Sequence, residues 1–384
     1  MFIWQSPQWP EFQVDLAALQ PALAAARHAH GRAMGLASHL QLMDLGDLQL
    51  QGWADEAIAT AQIEGEILQI NSVRASAARR LGLQDAKAME RDARTEATLD
   101  VLQAAIEQSQ QPLTHDTLHG WQAALFPNGR SGIQKIRTGA YRDHAEPMQI
   151  VTVRLGKSDI VHYQAPDSVD VHAQMTQLIE GFNSSLGKTD GLVRAALAHL
   201  WLEAIHPFED GNGRVGRALV EMALAQDLKT DKRLWSLSQQ MWLDRAGYYA
   251  QLQAATGQGN MDVTPWVQWF VGCVHKAADA TCDHMKTALR KTSFWAELRE
   301  QHPQLTPTQT KAINKLYDVG PDDFANGIST EKYVNLCRVS RATAYRELTA
   351  LCEMGVLVQT GTGRGTRYKL SPVASESSQQ INSH

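Results

Sequence analysis

Cysteine is scarce in this chain. Four occur in 384 residues (Cys273, Cys282, Cys337 and Cys352), and none stands in a CxxC pair. That argues against a disulfide framework and suits a reducing compartment. Long apolar runs are missing as well. No stretch approaches the ~18 residues of a membrane span, and Met1–Gln5 has no basic segment leading into an apolar run, so neither a membrane anchor nor a signal peptide is expected. A cytoplasmic location follows as the expectation. An excess of positive charge is also lacking. The formal net charge is −5, so the chain as a whole is not a polyanion binder, and any nucleic-acid site has to be local. What is present is an ordinary globular balance, 43% hydrophobic and 20% charged, with length for two or three domains.

The pattern is mainly α. Ala, Leu and Gln dominate Leu16 to Leu50. Ala57, Ile58, Ala61, Ile67 and Leu68 recur at helical spacing, and Gly and Pro are scarce within these runs. A helical N-terminal domain over 1–110 is expected. A second helical block, 111–290, is expected to hold helices at 171–182, 192–205, 214–226, 247–255 and 265–289. Two β-rich stretches interrupt it, Gln149–Val153 and Ile160–Tyr163, and read as a hairpin. Residues 291–304 are expected to connect to a third unit, 291–371. There, helices at 307–318, 329–336 and 340–354 precede two short strands around Gly361–Gly365, the pattern of a winged helix-turn-helix with Ser340 as an N-cap. The polar tail 372–384 is expected to be disordered.

The densest chemistry lies in His206-Pro207-Phe208-Glu209-Asp210-Gly211-Asn212-Gly213-Arg214-Val215-Gly216-Arg217. Pro207 disfavours helical geometry at His206, ending one helix there. Gly211 and Gly213 free the backbone for close approach of a ligand. The next helix starts near Arg214, and a Gly-rich loop entering a helix is a ready anion site. Arg214 and Arg217, three apart, share a helix face and can grip phosphate oxygens. Asp210 is a candidate ligand for Mg²⁺, and His206 titrates where it can take a proton from a hydroxyl. Together these are the parts for phosphoryl or nucleotidyl transfer. A plain helix–loop–helix corner with solvated charges would explain each residue singly, but not all of them at once.

This segment resembles the signature of the Fic family, His-Pro-Phe-x-Asp/Glu-Gly-Asn-Gly-Arg-x-x-Arg, at every fixed position. The resemblance covers roughly 112–275. It implies an all-helical core, AMP transfer from ATP to a protein hydroxyl, His206 as the base and Asp210 on Mg²⁺. It also implies Gly211, Asn212 and Gly213 around the α- and β-phosphates, Arg214 and Arg217 on the outer phosphates, and Phe208 buried beneath the loop. The hairpin after Gly139–Arg142 resembles the family's flap, which docks a target segment by strand addition; its candidates are Val151, Thr152, Val153, His162 and Tyr163. Tyr249 sits where the family often has an aromatic near the adenine. His199 is expected to be structural.

Thr60-Ala61-Gln62-Ile63-Glu64-Gly65 matches the family's inhibitory pattern, Ser/Thr-x-x-x-Glu-Gly/Asn. Thr60 and Glu64 lie one turn apart on one face, and the resemblance implies that Glu64 pairs with Arg217 and obstructs the nucleotide, with Gly65 closing the motif. Removal of AMP, with the same glutamate positioning a water, is a second reading of these residues. A third reading is a nucleotide-responsive DNA-binding regulator. The C-terminal unit carries a net +3 over 305–370, and Arg341, Thr343, Tyr345, Arg346, Arg364 and Arg367 are its DNA-contact candidates. The expected partners are a target protein with a Ser, Thr or Tyr hydroxyl, including the chain itself, and DNA; a homodimer is compatible with the sequence. Cys273, His275, Cys282 and His284 fall on one helical run, where residues two apart diverge, so no zinc site is expected.

Overall fold

The computed structural model describes residues 1–40, 42–83, 91–152, 160–229, 234–257, 259–318 and 327–371, with the backbone alone at 42–44, 151–152, 160 and 364. Val153 and the tail from residue 372 therefore lie outside the described residues. So do the side chains of Val151, Thr152 and Arg364. The chain divides into two compact units, Met1–Asp283 and His284–His384. The fold is mainly helical, with three short two-stranded sheets among the described residues.

Unit 1 opens with α1 (Leu16–Ala37), α2 (Leu42–Ile63), α3 (Ile70–Arg80) and α4 (Ala93–Glu107). Asp15 and Asp92 cap α1 and α4 by accepting from Ala18 and Thr95 backbone N–H. Small residues set the packing of this region. Ala54, Ala57 and Ala61 of α2 are buried against Val73 and Ala77 of α3 and Leu99 and Leu102 of α4. With no bulky side chain at those points, the helices pack closely. A carboxylate of α2 is buried as well: Glu56, 1% exposed. Its carboxylate accepts from Ser236 Oγ at 2.8 Å, from Ser238 N–H at 3.2 Å and from Ser238 Oγ. Burial of that charge is thus matched by donors, two of them at the N-terminus of α9 (Leu237–Leu243).

The centre of unit 1 is α7 (Gly191–Ile205) and α8 (Asn212–Leu228). Both are buried nearly all round, α7 chiefly through apolar residues and α8 with Asn212, Arg214, Arg217 and Glu221 among its buried side chains. Around them lie α5 (His115–Leu125), the two-residue strands β1 (Arg130–Ser131) and β2 (Gln134–Lys135), and α6 (Ser168–Ser184). The expected hairpin is present as β3 (Gln149–Thr152) antiparallel to β4 (Ile160–Gln164), with an irregularity between Ile150 and Val151. Ile150 and Val161 expose apolar side chains. Then follow α10 (Arg245–Gly257) and α11 (Thr264–Gln301).

The end of α11 differs from the sequence expectation. The stretch read as a connection, 291–304, is helical to Gln301. It contains no glycine or proline before Pro303, and Phe294, Trp295 and Leu298 bury one face of it in the core of unit 2. That core also takes Ala312 and Ile313 from α12 (Pro307–Asp318), Tyr333 from α13 (Thr330–Cys337), and Ala344, Leu348 and Leu351 from α14 (Arg341–Glu353). Gly355, at φ +74°, turns the chain out of α14 into β5 (Leu357–Thr360), which pairs antiparallel with β6 (Arg367–Leu370). Glu347 is the polar knot of this unit. It accepts from Thr308 Oγ1 at 2.8 and 2.9 Å and from the Tyr333 hydroxyl at 2.6 Å.

Candidate active site

The loop between α7 and α8 is built by its own residues. His206 takes a left-handed conformation, φ 50° and ψ 60°, and ends α7 while its N–H still donates to Leu202 O at 2.8 Å. A non-glycine residue there is uncommon and needs outside support. Arg142 supplies it. This arginine, 2% exposed, donates from Nε to His206 O at 2.9 Å and from Nη2 to Pro166 O at 2.6 Å and Ile205 O at 3.3 Å. Its own backbone N–H donates to Pro207 O at 2.9 Å. The far side of the loop is closed by Asn212, whose Oδ1 accepts from Phe208 N–H and whose Nδ2 donates to Phe208 O, both at 2.8 Å. Phe208 is fully buried beneath the loop, and Tyr141 packs 5.3 Å from its ring. Gly211 starts α8 at φ +88°, and a Cβ there would meet the Phe126 ring at 2.9 Å.

The first turn of α8 faces segment 60–66. Arg217, 2% exposed, donates from Nε to Thr60 Oγ1 at 2.6 Å, and from Nη2 to Thr60 O at 3.1 Å and Glu64 Oε1 at 2.7 Å. The same Glu64 oxygen rests on Gly213, 2.3 Å from where a Cβ would stand. Two residues on, Glu66 Oε1 accepts from Arg214 Nη1 at 3.0 Å. Both arginines of the motif are therefore met by carboxylates of one short segment. Burial works against the charge on Glu64, but Arg217, then Arg214 and His206, hold its carboxyl below the usual carboxylate range. Burial likewise opposes the charge on Arg217, and Glu64 more than offsets it, raising that guanidinium above its ordinary value. The carbonyl of Ile63, at the end of α2, accepts from Arg245 Nη2 at 3.1 Å and from the Tyr249 hydroxyl at 2.9 Å. Tyr249 is therefore bonded to the segment that carries Glu64.

Asp210 sits at the mouth, one-third exposed, with Arg214 Nη2 3.7 Å away. Its Oδ1 accepts from Gly211 N–H at 2.6 Å, and Ser131 Oγ donates to its Oδ2. A carboxylate offers about four lone-pair sites, so Asp210 retains acceptor capacity for a Mg²⁺ whose other ligands are phosphates and waters. Among the described residues no group of three or more His, Cys, Asp or Glu is arranged to hold a metal. Cys273 and Cys282 are buried, and His275 lies 3.1 Å from Asp279. A hollow of about 380 Å³ opens beside Arg214, lined among others by Glu66, Arg94, Phe126, Arg130 and Ser131.

Burial, and after it the charge of Arg142, push His206 down to about 4. The imidazole is thus neutral near pH 7 and able to accept a proton. Behind it on α7, burial and then Glu64 push the carboxyl of Glu203 up to about 7, against the pull of Arg217. His199, pushed down to about 3 chiefly by burial, is a buried histidine whose Nε2 lies 2.9 Å from the Tyr248 hydroxyl.

On the flap, Tyr163 is buried and its hydroxyl donates to Ala204 O at 2.5 Å. Its side chain therefore anchors β4 to α7. His162 is half-buried. In unit 2, Ser340 accepts from Thr343 N–H at 3.1 Å and starts α14, with Arg341, Tyr345 and Arg346 exposed and Thr343 and Arg367 half-buried. Three contributors carried no signal of their own in the sequence reading: Arg142 under the loop, Glu203 behind His206, and Glu66 on Arg214.

Comparison with known proteins bears on both parts of unit 1. Residues 2–83 match a domain of unknown function (DUF4172). Protein adenylyltransferase fic-1 of Caenorhabditis briggsae is 27% identical over 175 residues, 45% of this chain and 32% of that protein. Protein adenylyltransferase Fic of Drosophila willistoni is 28% identical over 186 residues, 48% and 33%. The chain thus spans about a third of the length of these curated relatives. Among solved structures, a Fic family protein from Desulfovibrio desulfuricans matches with TM-score 0.50 and 19% identity over 94% of this chain and 98% of its own. A Fic domain containing signaling protein from Bacteroides thetaiotaomicron matches with TM-score 0.52 and 17% identity, over 68% and 97%. At those identities the two structures bear on the fold alone. The Fic/DOC family matches residues 112–224, the span that builds the loop, and the chain therefore carries a Fic/DOC family domain.

Proposed function

We propose that this chain is a protein adenylyltransferase restrained by its own Glu64. The observation that carries the reading is the position of the Glu64 carboxylate, 2.7 Å from Arg217 Nη2 and resting on Gly213. A negative oxygen already lies against the first turn of α8, where a phosphate oxygen would be held. In the transfer, His206 removes the proton of a Ser, Thr or Tyr hydroxyl on a target protein, this chain included. The hydroxyl oxygen forms a bond to the α-phosphorus of ATP, and the bond to pyrophosphate breaks. The backbone of Gly211–Gly213 and the Arg214 and Arg217 guanidiniums bind and orient the phosphates, and Asp210 would hold Mg²⁺. When bound, the ion neutralises phosphate charge. The exposed Ile150 and Val161 on the flap support docking of the target segment beside the loop. With Glu64 on Arg217 and Glu66 on Arg214, neither clamp is free for phosphate. ATP is expected as the nucleotide from the adenylyltransferase relatives.

The test is incubation with α-labelled ATP and Mg²⁺, comparing the unaltered chain with Glu64→Gly and His206→Ala. Label on Glu64→Gly alone is the expected result. Equal labelling with and without Glu64 would remove inhibition from the reading, and no label on Glu64→Gly would remove the transfer. A second reading, removal of AMP, draws on the partial exposure of Glu64, 30% of its side chain, and on its electrostatic reach to His206, which suit a carboxylate that orients a water. Release of AMP from a pre-labelled chain, lost in Glu64→Gly, tests it. For unit 2 the reading is a winged helix-turn-helix that binds DNA through Arg341, Thr343, Tyr345, Arg346 and Arg367. Its support is the exposed start of α14, and its test is DNA retention that falls steeply with salt.

A further inference from the structure

Glu203 is an expensive residue. It sits on the buried face of α7, 9% exposed, and its Oε1 has no hydrogen-bond partner. An acid left this way costs free energy that a fold dispenses with unless the group has work to do. Arg217 attracts it electrostatically but makes no hydrogen bond to it: the Nε and Nη2 of that arginine are taken by Thr60 and Glu64, and its Nη1 has no hydrogen-bond partner. Its other oxygen, Oε2, lies 3.9 Å from His206 Nδ1, one helical turn ahead. That nitrogen is likewise buried and makes no close hydrogen bond, although the Glu203 backbone also acts on the His206 ring. Catalytic hydrogen bonds are commonly long before substrate binds and tighten with it.

We propose that Glu203 is the positioning residue for His206: its carboxylate, behind Nδ1, orients the imidazole and balances the charge the ring gains on taking the target proton. The inference rests on the transfer reading of the loop and adds to it. In the step, the hydroxyl proton goes to Nε2, Nδ1–H donates to Glu203, and the carboxylate takes no proton itself, a division of labour familiar from histidine–carboxylate pairs. The groups facing Glu203 are His199 and His206 on its own helix, Tyr163 on β4, Glu64 after α2, Arg217 on α8 and Tyr248 on α10.

The experiment uses the full chain in the Glu64→Gly background with Glu203 kept, changed to Gln, or changed to Asp. The first readout is the ¹⁵N signal of the His206 imidazole, identified by its loss in His206→Ala, followed against pH. Glu203→Gln keeps the volume and is expected to lower the protonation midpoint of His206 and reduce its Nδ1–H tautomer; Glu203→Asp keeps the charge and is expected to restore both in part. Identical imidazole signals in all three chains overturn the proposal, whether or not label is transferred. The second readout is label transfer. Glu203→Gln is expected to lower kcat about tenfold or more, less than the roughly 10²–10⁴-fold that a general base itself contributes, with KM for ATP unchanged. With Glu203 the rate is expected to rise with pH, and with Gln that rise is expected to flatten. A change confined to KM overturns the proposal. A parent chain that transfers no label refutes the transfer reading instead, and the imidazole signals then decide the position of Glu203 alone.

Discussion

The loop at 206–213 and the segment that covers it are held in different ways. Residues 206–213 are tied from within and below. Asn212 bridges both ends of Phe208, Arg142 holds three carbonyls, and Phe208 is buried under the turn. None of these contacts involves residues 60–66. The segment at 60–66, in contrast, is held by polar contacts to other elements: Thr60 and Glu64 on Arg217, Glu66 on Arg214, and the Ile63 carbonyl on Arg245 and Tyr249. Its side chains Glu64 and Glu66 reach solvent in part. A loop supported by buried, mutually satisfied groups is preorganised whether or not the cover is present. In the cover Ala61 and Ile63 are buried, so the part that can leave at modest cost is its polar end, Glu64 to Glu66, near solvent.

The strongest way to break this contrast is Arg142→Ala. It leaves the carbonyls of His206, Ile205 and Pro166 without their donor in a buried place, at about 1–3 kcal/mol for each group left unsatisfied. It is also expected to abolish transfer in the Glu64→Gly background; retained stability in chemical denaturation would show that the loop does not hang on Arg142. Asn212→Ala comes next, at about 2–3 kcal/mol for the two lost bonds and the buried Phe208 groups, read by the same denaturation. Glu64→Gln sharpens the other side. Removing the charge is expected to tighten ATP binding about tenfold, which corresponds to roughly 1.4 kcal/mol, while Glu66→Gln does less; calorimetric titration with ATP distinguishes them, and equal effects would make the two carboxylates one latch. The smallest effect is expected for Tyr249→Phe, about 0.5–1.5 kcal/mol for one hydrogen bond, seen as faster amide exchange at residues 60–66 with the loop unchanged.

Acid sharpens the contrast from a different side. His206 and His199, pushed down to about 4 and about 3 by burial, bind fewer protons folded than unfolded. Their contribution is fully present above the ordinary histidine value near 6.5 and is lost as pH falls toward the folded values. Glu203 runs the other way. Raised to about 7, it binds more protons folded, so its contribution is present below the ordinary carboxylate value and lost as pH climbs through 7. Glu203→Gln is therefore expected to gain thermal stability over the unaltered chain at pH 8 relative to pH 5; a pH-independent difference would contradict the raised carboxyl.

What the sequence disclosed and what it hid divide along distance. Pro207, Gly211 and Gly213 stand within the segment they shape, so the loop between two helices was legible there. Thr60 and Glu64 were legible as a shared face because helical spacing puts them together, and the structure has both on Arg217. The hairpin at β3–β4 and the Ser340 cap were readable from local composition. Arg142 was not, because its work is done on carbonyls 24 to 64 residues away and no periodicity marks it. Glu203 looks like any helical glutamate until α8 and α10 close over it. The run at 291–301 misled for a related reason: with the apolar face of Phe294, Trp295 and Leu298 paired to later residues, a stretch that reads as a linker is the continuation of α11.

Gly213 has a genetic consequence. Any side chain there would displace the Glu64 oxygen that rests against it, and on the proposed reading it would displace the phosphate that takes that oxygen's place. Inhibitor and substrate are read by the same missing side chain, so a change at 213 cannot release one without losing the other. A selection for unrestrained variants from a randomised library is therefore expected to return substitutions at Thr60, Glu64 and their neighbours and none at 213. The route to escape lies in the cover, and the catalytic loop is closed to it.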